Sequence, residues 1–178
     1  ELYRQLGFAR VTTQTAWVRP ARTSAPAHLP APFDLRLRAP HEWADQFALA
    51  QTVRPAGLAW NKPLRPEDFR SPWWQRLDRF FSGQTEEHWV VEAERRLAGS
   101  LTLRADWSEN ARLILLVHPD FRGQLERPLL ARGLRRLAAS PWSVRIEHPA
   151  GDEPAETALR EFGFQPTRTL LWMRLDMG

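Results

Sequence analysis

The chain has 178 residues, a formal net charge of +4 and no cysteine. This length fits one ordinary domain with a small extra segment, and the missing cysteine excludes disulfides, thiolate zinc sites and cysteine nucleophiles. No apolar run approaches the roughly 18 residues that a membrane helix needs, so we expect a folded protein of the cytoplasm that binds no membrane. All basic residues except Lys62 are arginines, spread among 21 carboxylates, which does not favour a dedicated nucleic-acid surface.

The first part of the chain predicts a short unit followed by a linker. Residues 1–8 read as the last turns of a helix that stops at Gly7, because glycine tolerates the left-handed backbone of a helix end. Ala9–Val18 is rich in β-branched residues and predicts a strand. Residues 20–32 are rich in proline, which is typical of an extended linker. We therefore divide the chain into a segment 1–19, a linker 20–33 and a domain 34–178.

The domain predicts the element order β-α-α-β-β-β-α-β-α-β, from hydrophobic periodicity and from the breaks at glycine and proline. Its most apolar element is Leu113–Val117, whose lack of polar alternation predicts a central strand buried on both faces. The expected elements are a strand at Leu35–Leu37, helices at His41–Val53 and Trp73–Phe81, strands at Trp89–Ala93, Leu97–Leu103 and Leu113–Val117, a helix at about Arg127–Ala139, a strand at Trp142–His148, a helix at Pro154–Phe162 and a strand at Thr167–Leu175.

An internal repeat links the two ends of the chain. Leu-Gly-Phe at 6–8 recurs as Phe-Gly-Phe at 162–164, and Trp-Val-Arg at 17–19 recurs as Trp-Met-Arg at 172–174. We interpret residues 1–19 as the tail of a preceding unit of the same fold. A lone strand carrying Trp17 needs covering. We therefore expect it to dock on the sheet of this domain, near the strands that splay after Val117 or beside the last strand.

The centre of the domain carries a family signature. Residues 117–123 read Val-His-Pro-Asp-Phe-Arg-Gly and lead from a strand into a helix. This stretch, with the element order, resembles the Gcn5-related N-acetyltransferase (GNAT) superfamily over residues 34–178. The resemblance implies an α/β (α+β) fold with a mixed, mostly antiparallel sheet flanked by helices. It also implies acetyl-CoA as co-substrate and a primary amine, of a small molecule or a peptide, as acceptor.

The resemblance places coenzyme A against the central strand and the loop that follows it. A strand that feeds a helix through a tight loop points backbone N–H groups at one spot, and the helix N-terminus adds partial positive charge that suits a pyrophosphate. The free edge of the strand would hydrogen-bond the pantetheine arm. The residues assigned to the coenzyme are Leu115, Val117, Arg122, Gly123, Gln124, Leu125 and Arg127.

Candidates for the chemistry lie elsewhere. His148 ends a predicted strand beside the expected acetyl site and is a candidate base for the acceptor amine. Glu147, on the opposite side of that strand, is an equal candidate. Trp60, Trp73 and Trp74 lie in or beside the first two helices, where the resemblance implies the acceptor pocket. The five histidines show no metal-ligand spacing, so we expect no metal.

The sequence also departs from the family pattern. The family loop reads Gln/Arg-x-x-Gly-x-Gly/Ala, and here Leu125 and Arg127 stand where small residues are expected. Glu126 places a negative charge at the phosphate site, so Glu126→Gly is expected to tighten coenzyme binding. Leu159 occupies the place of a tyrosine that many members use as general acid, and the single tyrosine of the chain is Tyr3.

These departures favour a second interpretation. In it the chain is a non-catalytic, degenerate domain that packs on a catalytic partner domain and shapes its pocket or its dimer. The partner would be the preceding unit of the same protein or, in a homodimer, a second copy. The sequence alone leaves both interpretations open.

Overall fold

A computed structural model describes residues 5–27, 29, 33–54, 63–70, 85–105 and 111–175. Within them, seven strands form one sheet in the order β2-β3-β4-β5-β6-β1-β7, antiparallel throughout except for the parallel pair β5–β6. The strands are β1 (Phe8–Arg19), β2 (Leu35–Leu37), β3 (Thr85–Ala93), β4 (Arg96–Ala105), β5 (Ala111–Val117), β6 (Val144–Pro149) and β7 (Gln165–Leu175), and the helices are α1 (Trp43–Val53), α2 (Glu126–Arg136) and α3 (Glu153–Glu161).

The predicted fold class is confirmed, because the sheet is mixed, mostly antiparallel and accompanied by helices. The predicted helix Trp73–Phe81 lies outside the described residues. Several strand boundaries differ from the prediction. The largest difference is at β3, which begins at Thr85 rather than Trp89 because it pairs with β4 along its whole length. Strand β6 begins at Val144, and Trp142, expected inside it, precedes it with 40% of its surface exposed. None of the described helices has the length and apolarity that a membrane crossing requires.

The N-terminal strand β1 is an interior member of the sheet. It pairs antiparallel with β6 along one edge and with β7 along the other, which confirms the prediction that this segment docks on the domain's own sheet. Trp17 is only 2% exposed and belongs to the main core. At the end of the strand, the buried Arg19 guanidinium donates to the backbone carbonyls of Phe162 at 2.7 Å and Ser24 at 2.6 Å. Strand β1 therefore joins β7 to the rest of the sheet.

The central strand β5 has one buried face and one open face. Leu113, Leu115 and Val117 face the main core, together with leucines of α2. The opposite face is not fully covered, because Ile114 is 40% exposed and Leu116 is half-buried. The prediction that both faces are buried is therefore wrong. The physical reason is that the apolar side chains of the open face line a cavity.

Helix α2 packs closely on the sheet through small residues. A Cβ at Gly133 would lie 2.5 Å from Leu101 Cδ2, and one at Gly99 would lie 3.0 Å from Leu129 Cδ1. Both glycines therefore permit an approach that a side chain would prevent. This contact holds α2 over β4 and β5, and it sets where the helix begins.

The position of β1 leads to a stability prediction. Trp17→Ala should lower the free energy of unfolding by about 3–5 kcal/mol, because it removes a large buried side chain and leaves a cavity. Trp142→Ala is the matched control, since Trp142 lies outside the main core with 40% of its surface exposed, and it should change stability by about 1 kcal/mol or less. Urea unfolding followed by circular dichroism measures both. Equal effects of the two substitutions would show that β1 does not contribute to the core.

Candidate functional site

Strands β5 and β6 separate, and a cleft opens between them. Their pairing covers only Ala111–Leu113 against Val144–Ile146, although β5 continues to Val117 and β6 to Pro149. Ala111 N donates to Ser143 O on the β6 side, while His118 N donates to Ala98 O on the β4 side. Because successive N–H groups of a strand alternate in direction, the N–H groups of Leu115 and Val117 point into the cleft. This edge of β5 can therefore hydrogen-bond an extended ligand.

A cavity of about 510 Å³ occupies this cleft. A volume of this size suits a small-molecule ligand. One wall comes from the ends of β5 and β6 and the other from α1, the segment after it, β3 and β4. The lining residues are Gln14, Gln46, Ala50, Val53, Arg54, Leu64, Asp68, Phe69, His88, Thr102, Arg104, Ile114, Leu115, Leu116, Val117, Arg122, Glu147, His148, Pro149 and Asp152.

His148 and Asp152 form a hydrogen-bonded pair in the cavity wall. His148 is the next-to-last residue of β6 and is 7% exposed, and its Nε2 lies 3.0 Å from Asp152 Oδ2. The chain turns back between them at Gly151, whose φ of +86° is accessible to glycine at little cost. Asp152 then caps α3, since its Oδ1 accepts from Ala155 N at 3.5 Å. The strand end, the turn and the helix cap together fix the orientation of the imidazole ring.

The electrostatics of the pair favour an ionised carboxylate. The hydrogen bond from His148 lowers the pKa of Asp152 below its ordinary value of 3.8, and the charge of Arg122, whose Nε lies 3.8 Å from Asp152 Oδ2, acts in the same direction. Partial burial opposes both effects. An ionised carboxylate can only accept a hydrogen bond, so Nε2–H of His148 donates to Asp152 and Nδ1 is left with the free lone pair. Nδ1 is therefore the ring nitrogen on which His148 can act as a base.

The far end of the cavity is polar although its side chains are buried. The amide of Gln46, which is 1% exposed, donates to Thr102 Oγ1 at 3.2 Å and Ser100 Oγ at 3.3 Å. His88 Nδ1 lies 3.0 Å from the same Thr102 hydroxyl, and the Arg38 guanidinium donates to Gln46 Oε1. Buried polar groups arranged in this way hold one another in place. Gln46, His88 and Thr102 thus form a polar part of the cavity lining.

The loop after β5 forms a tight turn that leads into α2. Gly123 has φ of +81°, and a Cβ there would meet nothing within 4 Å, so the turn is open to solvent. Gln124 N is used inside the turn, where it donates to Phe121 O at 3.2 Å. Pro128 lies in the first turn of α2, as expected, and it removes one of the N–H groups that a helix start normally leaves free. The N–H groups that remain for an anion are those around Leu125–Arg127.

A second pocket, of about 280 Å³, lies between the starts of α2 and α3. It is lined by Gly123, Glu126, Arg127, Glu153, Pro154 and Thr157. Glu126 is 2% exposed, and neither of its carboxylate oxygens has a hydrogen-bond partner within the described parts of the chain. The pocket thus holds a buried carboxyl group beside a helix N-terminus.

The predicted site residues divide into two groups and a remainder. Leu115, Val117, Arg122, Glu147 and His148 meet in the main cavity, whereas Gly123 and Arg127 line the second pocket. Gln124 lines neither of them.

Two residues predicted to bind the coenzyme, Leu125 and Arg127, have side chains that are engaged elsewhere. The side chain of Leu125 is fully buried in the core, so only its backbone can face a ligand. The Arg127 guanidinium is held by Glu161, with Nε 2.6 Å from Oε2. Leu159, at the place of the family tyrosine, is buried in the core.

Two residues of the site were not predicted from the sequence, and three predicted residues lie outside the described part of the chain. Asp152 was not recognised as the partner of His148, although the i,i+4 spacing across a glycine turn was a usable signal. Gln46 was also missed, and its place inside the apolar stripe of α1 was the signal for it. Trp60, Trp73 and Trp74 lie outside the described residues. Where the structure describes the chain, no three His, Asp or Glu side chains come together as a metal site requires.

The fold has many solved counterparts. A GCN5-related N-acetyltransferase from Sphaerobacter thermophilus superposes with a TM-score of 0.61 at 14% identity, over 97% of this chain and 54% of that one. A GNAT-family acetyltransferase from Colwellia psychrerythraea gives 0.58 at 14% identity, over 97% and 60%. A tandem GNAT protein from the clavulanic acid biosynthesis pathway gives 0.58 at 18% identity, over 96% and 55%.

These likenesses show the fold. The chain has the GNAT fold, as the resemblance of its central stretch implied, and it spans less than two thirds of the length of these three neighbours. No protein-family model and no curated protein sequence matches it.

The lowered pKa of Asp152 makes the His148–Asp152 pair testable by pH. Asp152→Asn keeps a helix cap but removes the charge, and it should lower the free energy of unfolding by about 1.5–3 kcal/mol near pH 6. Because the folded-state pKa lies below the unfolded value of 3.8, this difference is present above pH 3.8 and closes as the pH falls through the folded pKa. Denaturant unfolding between about pH 6 and pH 2 measures it.

Glu161→Gln is the control, because the Arg127–Glu161 pair is half-exposed and such pairs contribute little. A difference between wild type and Asp152→Asn that does not change with pH would contradict the pairing.

Proposed function

We propose that this chain, which has the GNAT fold, transfers an acetyl group from a thioester donor of the acetyl-CoA type to a primary amine. The observation that carries the proposal is the cavity between β5 and β6, because it joins an open strand edge to a paired histidine and carboxylate. The edge would take the donor, His148 lies in the wall, and the polar end at Gln46 would take the acceptor.

The residues present fit the acyl and pantetheine part of acetyl-CoA. The N–H groups of Leu115 and Val117 point into the cleft, where they would hydrogen-bond the amide groups of the pantetheine arm and polarise the thioester carbonyl. The donor supplies an activated acetyl group. The pyrophosphate would lie against the turn around Gly123 and the start of α2, and Glu126 opposes it there.

The protein's part in the reaction is to orient and to move a proton. Asp152 holds the ring of His148, and His148 takes a proton from the acceptor ammonium so that the free amine attacks the carbonyl carbon. The new C–N bond forms and the C–S bond breaks, which releases a thiolate. Because Leu159 has no proton to donate, the thiolate takes the surplus proton of the attacking nitrogen, directly or through solvent, and leaves as the free thiol, while His148 returns its proton to solvent. Holding the two reactants together supplies much of the rate.

A second candidate function is favoured by Glu126 and Leu159. The carboxylate at the expected phosphate site is buried and has no partner among the described residues, and an apolar residue stands in place of the acid. Both features suit a non-catalytic domain that shapes a neighbouring unit. The repeat between the two ends of the chain and the likeness to a tandem GNAT protein support a preceding unit of the same fold as that neighbour. Strand β1 would then link the two units.

The activity test uses the absence of cysteine, since a thiol reagent then reports only the thiol released from the donor. With a panel of primary amines and either acetyl-CoA or acetyl-pantetheine, wild type should release thiol in an amine-dependent way. His148→Ala should lower kcat on the order of 10²–10⁴-fold, the usual contribution of a general base.

His41→Ala is the control, because His41 is exposed and lies outside the cavity, and it should leave the rate unchanged. Binding of either donor without turnover with any amine would favour the non-catalytic domain. A normal rate in His148→Ala would remove His148 from the mechanism.

A further inference from the structure

The start of α2 has the backbone geometry of an anion-binding site, but the side chains around it are acidic. An open turn at Gly123 leads into an eleven-residue helix, and such a helix start ordinarily attracts phosphate. Here the first residue of the helix is Glu126, whose carboxylate is 98% removed from solvent and without a hydrogen-bond partner in the described part of the chain. Glu153 adds a second carboxylate to the same pocket.

The neighbouring arginines do not compensate for this charge. Arg127 lines the pocket, but its guanidinium is engaged by Glu161 at 2.6 Å. Arg122 lines the main cavity, where it lies 3.8 Å from Asp152. Pro128 removes an N–H donor from the first helical turn. A diphosphate placed here would meet a buried carboxylate with few donors to offset the repulsion.

We propose that the donor of this site is an acyl thioester on a pantetheine arm that carries no diphosphate, and that Glu126 sets this preference. The inference rests on the proposed function, because it concerns the donor of the same cleft. An uncharged arm keeps the hydrogen bonds to Leu115 and Val117 and brings no negative charge to Glu126.

The test compares two ligands that share the arm and differ in the nucleotide diphosphate: pantetheine and coenzyme A. Binding to the whole chain is measured by isothermal titration calorimetry, so the readout does not depend on turnover. For wild type, coenzyme A should bind at most about threefold more tightly than pantetheine, because the phosphates add nothing to the affinity. Glu126→Gln, which keeps the shape of the side chain, should tighten coenzyme A on the order of tenfold. It should leave pantetheine unchanged.

Glu153→Gln is the matched control. Glu153 lines the same pocket but is exposed, so solvent screens its charge and the substitution should have a much smaller effect on coenzyme A. Pantetheine binding by Glu126→Gln also shows that the variant is folded. If that variant binds neither ligand, the wild-type comparison still decides the question.

Failure of this inference and failure of the proposed function would give different binding results. Wild type that binds coenzyme A tenfold or more tightly than pantetheine would overturn the inference while supporting the proposed function. Unchanged affinity for coenzyme A in Glu126→Gln would also overturn the inference while supporting the proposed function. If wild type binds neither ligand, the proposed function fails, and with it the inference.

Discussion

The separation of β5 from β6 is the constraint on which the rest of this molecule depends. A parallel pair that stops after three residues leaves one edge of a central strand without a strand partner, and unpaired backbone groups inside a protein require another partner. The cavity, the direction of the Leu115 and Val117 N–H groups and the place of His148 all follow from this gap. The open face of β5 follows as well, since Ile114 and Leu116 border the space that the gap creates.

The gap is held open from both sides. On one side β4 pairs with β5 through Val117, and α2 packs against both strands through Gly133. On the other side β1 pairs with β6 through Pro149 and ties it to β7. Strand β6 is therefore anchored to a strand from the start of the chain, which contributes Trp17 to the shared core. The cleft is a consequence of which strands each half of the sheet pairs with.

Charge divides the candidate site into two parts with different chemistry. At the strand ends, Arg122 and His148 keep the Asp152 carboxylate ionised and within hydrogen-bonding distance of the imidazole. At the start of α2, the carboxylate of Glu126 is buried without a partner in the described residues. Burying a polar group without a partner costs free energy. The two carboxyl groups therefore differ, because Asp152 is paired with His148 whereas Glu126 has no partner within the described residues.

Within the described residues, the sequence by itself determined the order of the elements, the central strand and the turn into α2, because these depend on local periodicity and on glycine and proline. It also indicated that the first strand of the chain belongs to the sheet, since an unpaired strand with Trp17 requires a partner. The tertiary structure alone decided which strands flank β1, that only one face of β5 is buried, that Leu125 lies in the core, and that Asp152 faces His148. Each of these depends on contacts between residues far apart in the chain or across a turn, and hydrophobic pattern carries no information about which neighbour a face will meet.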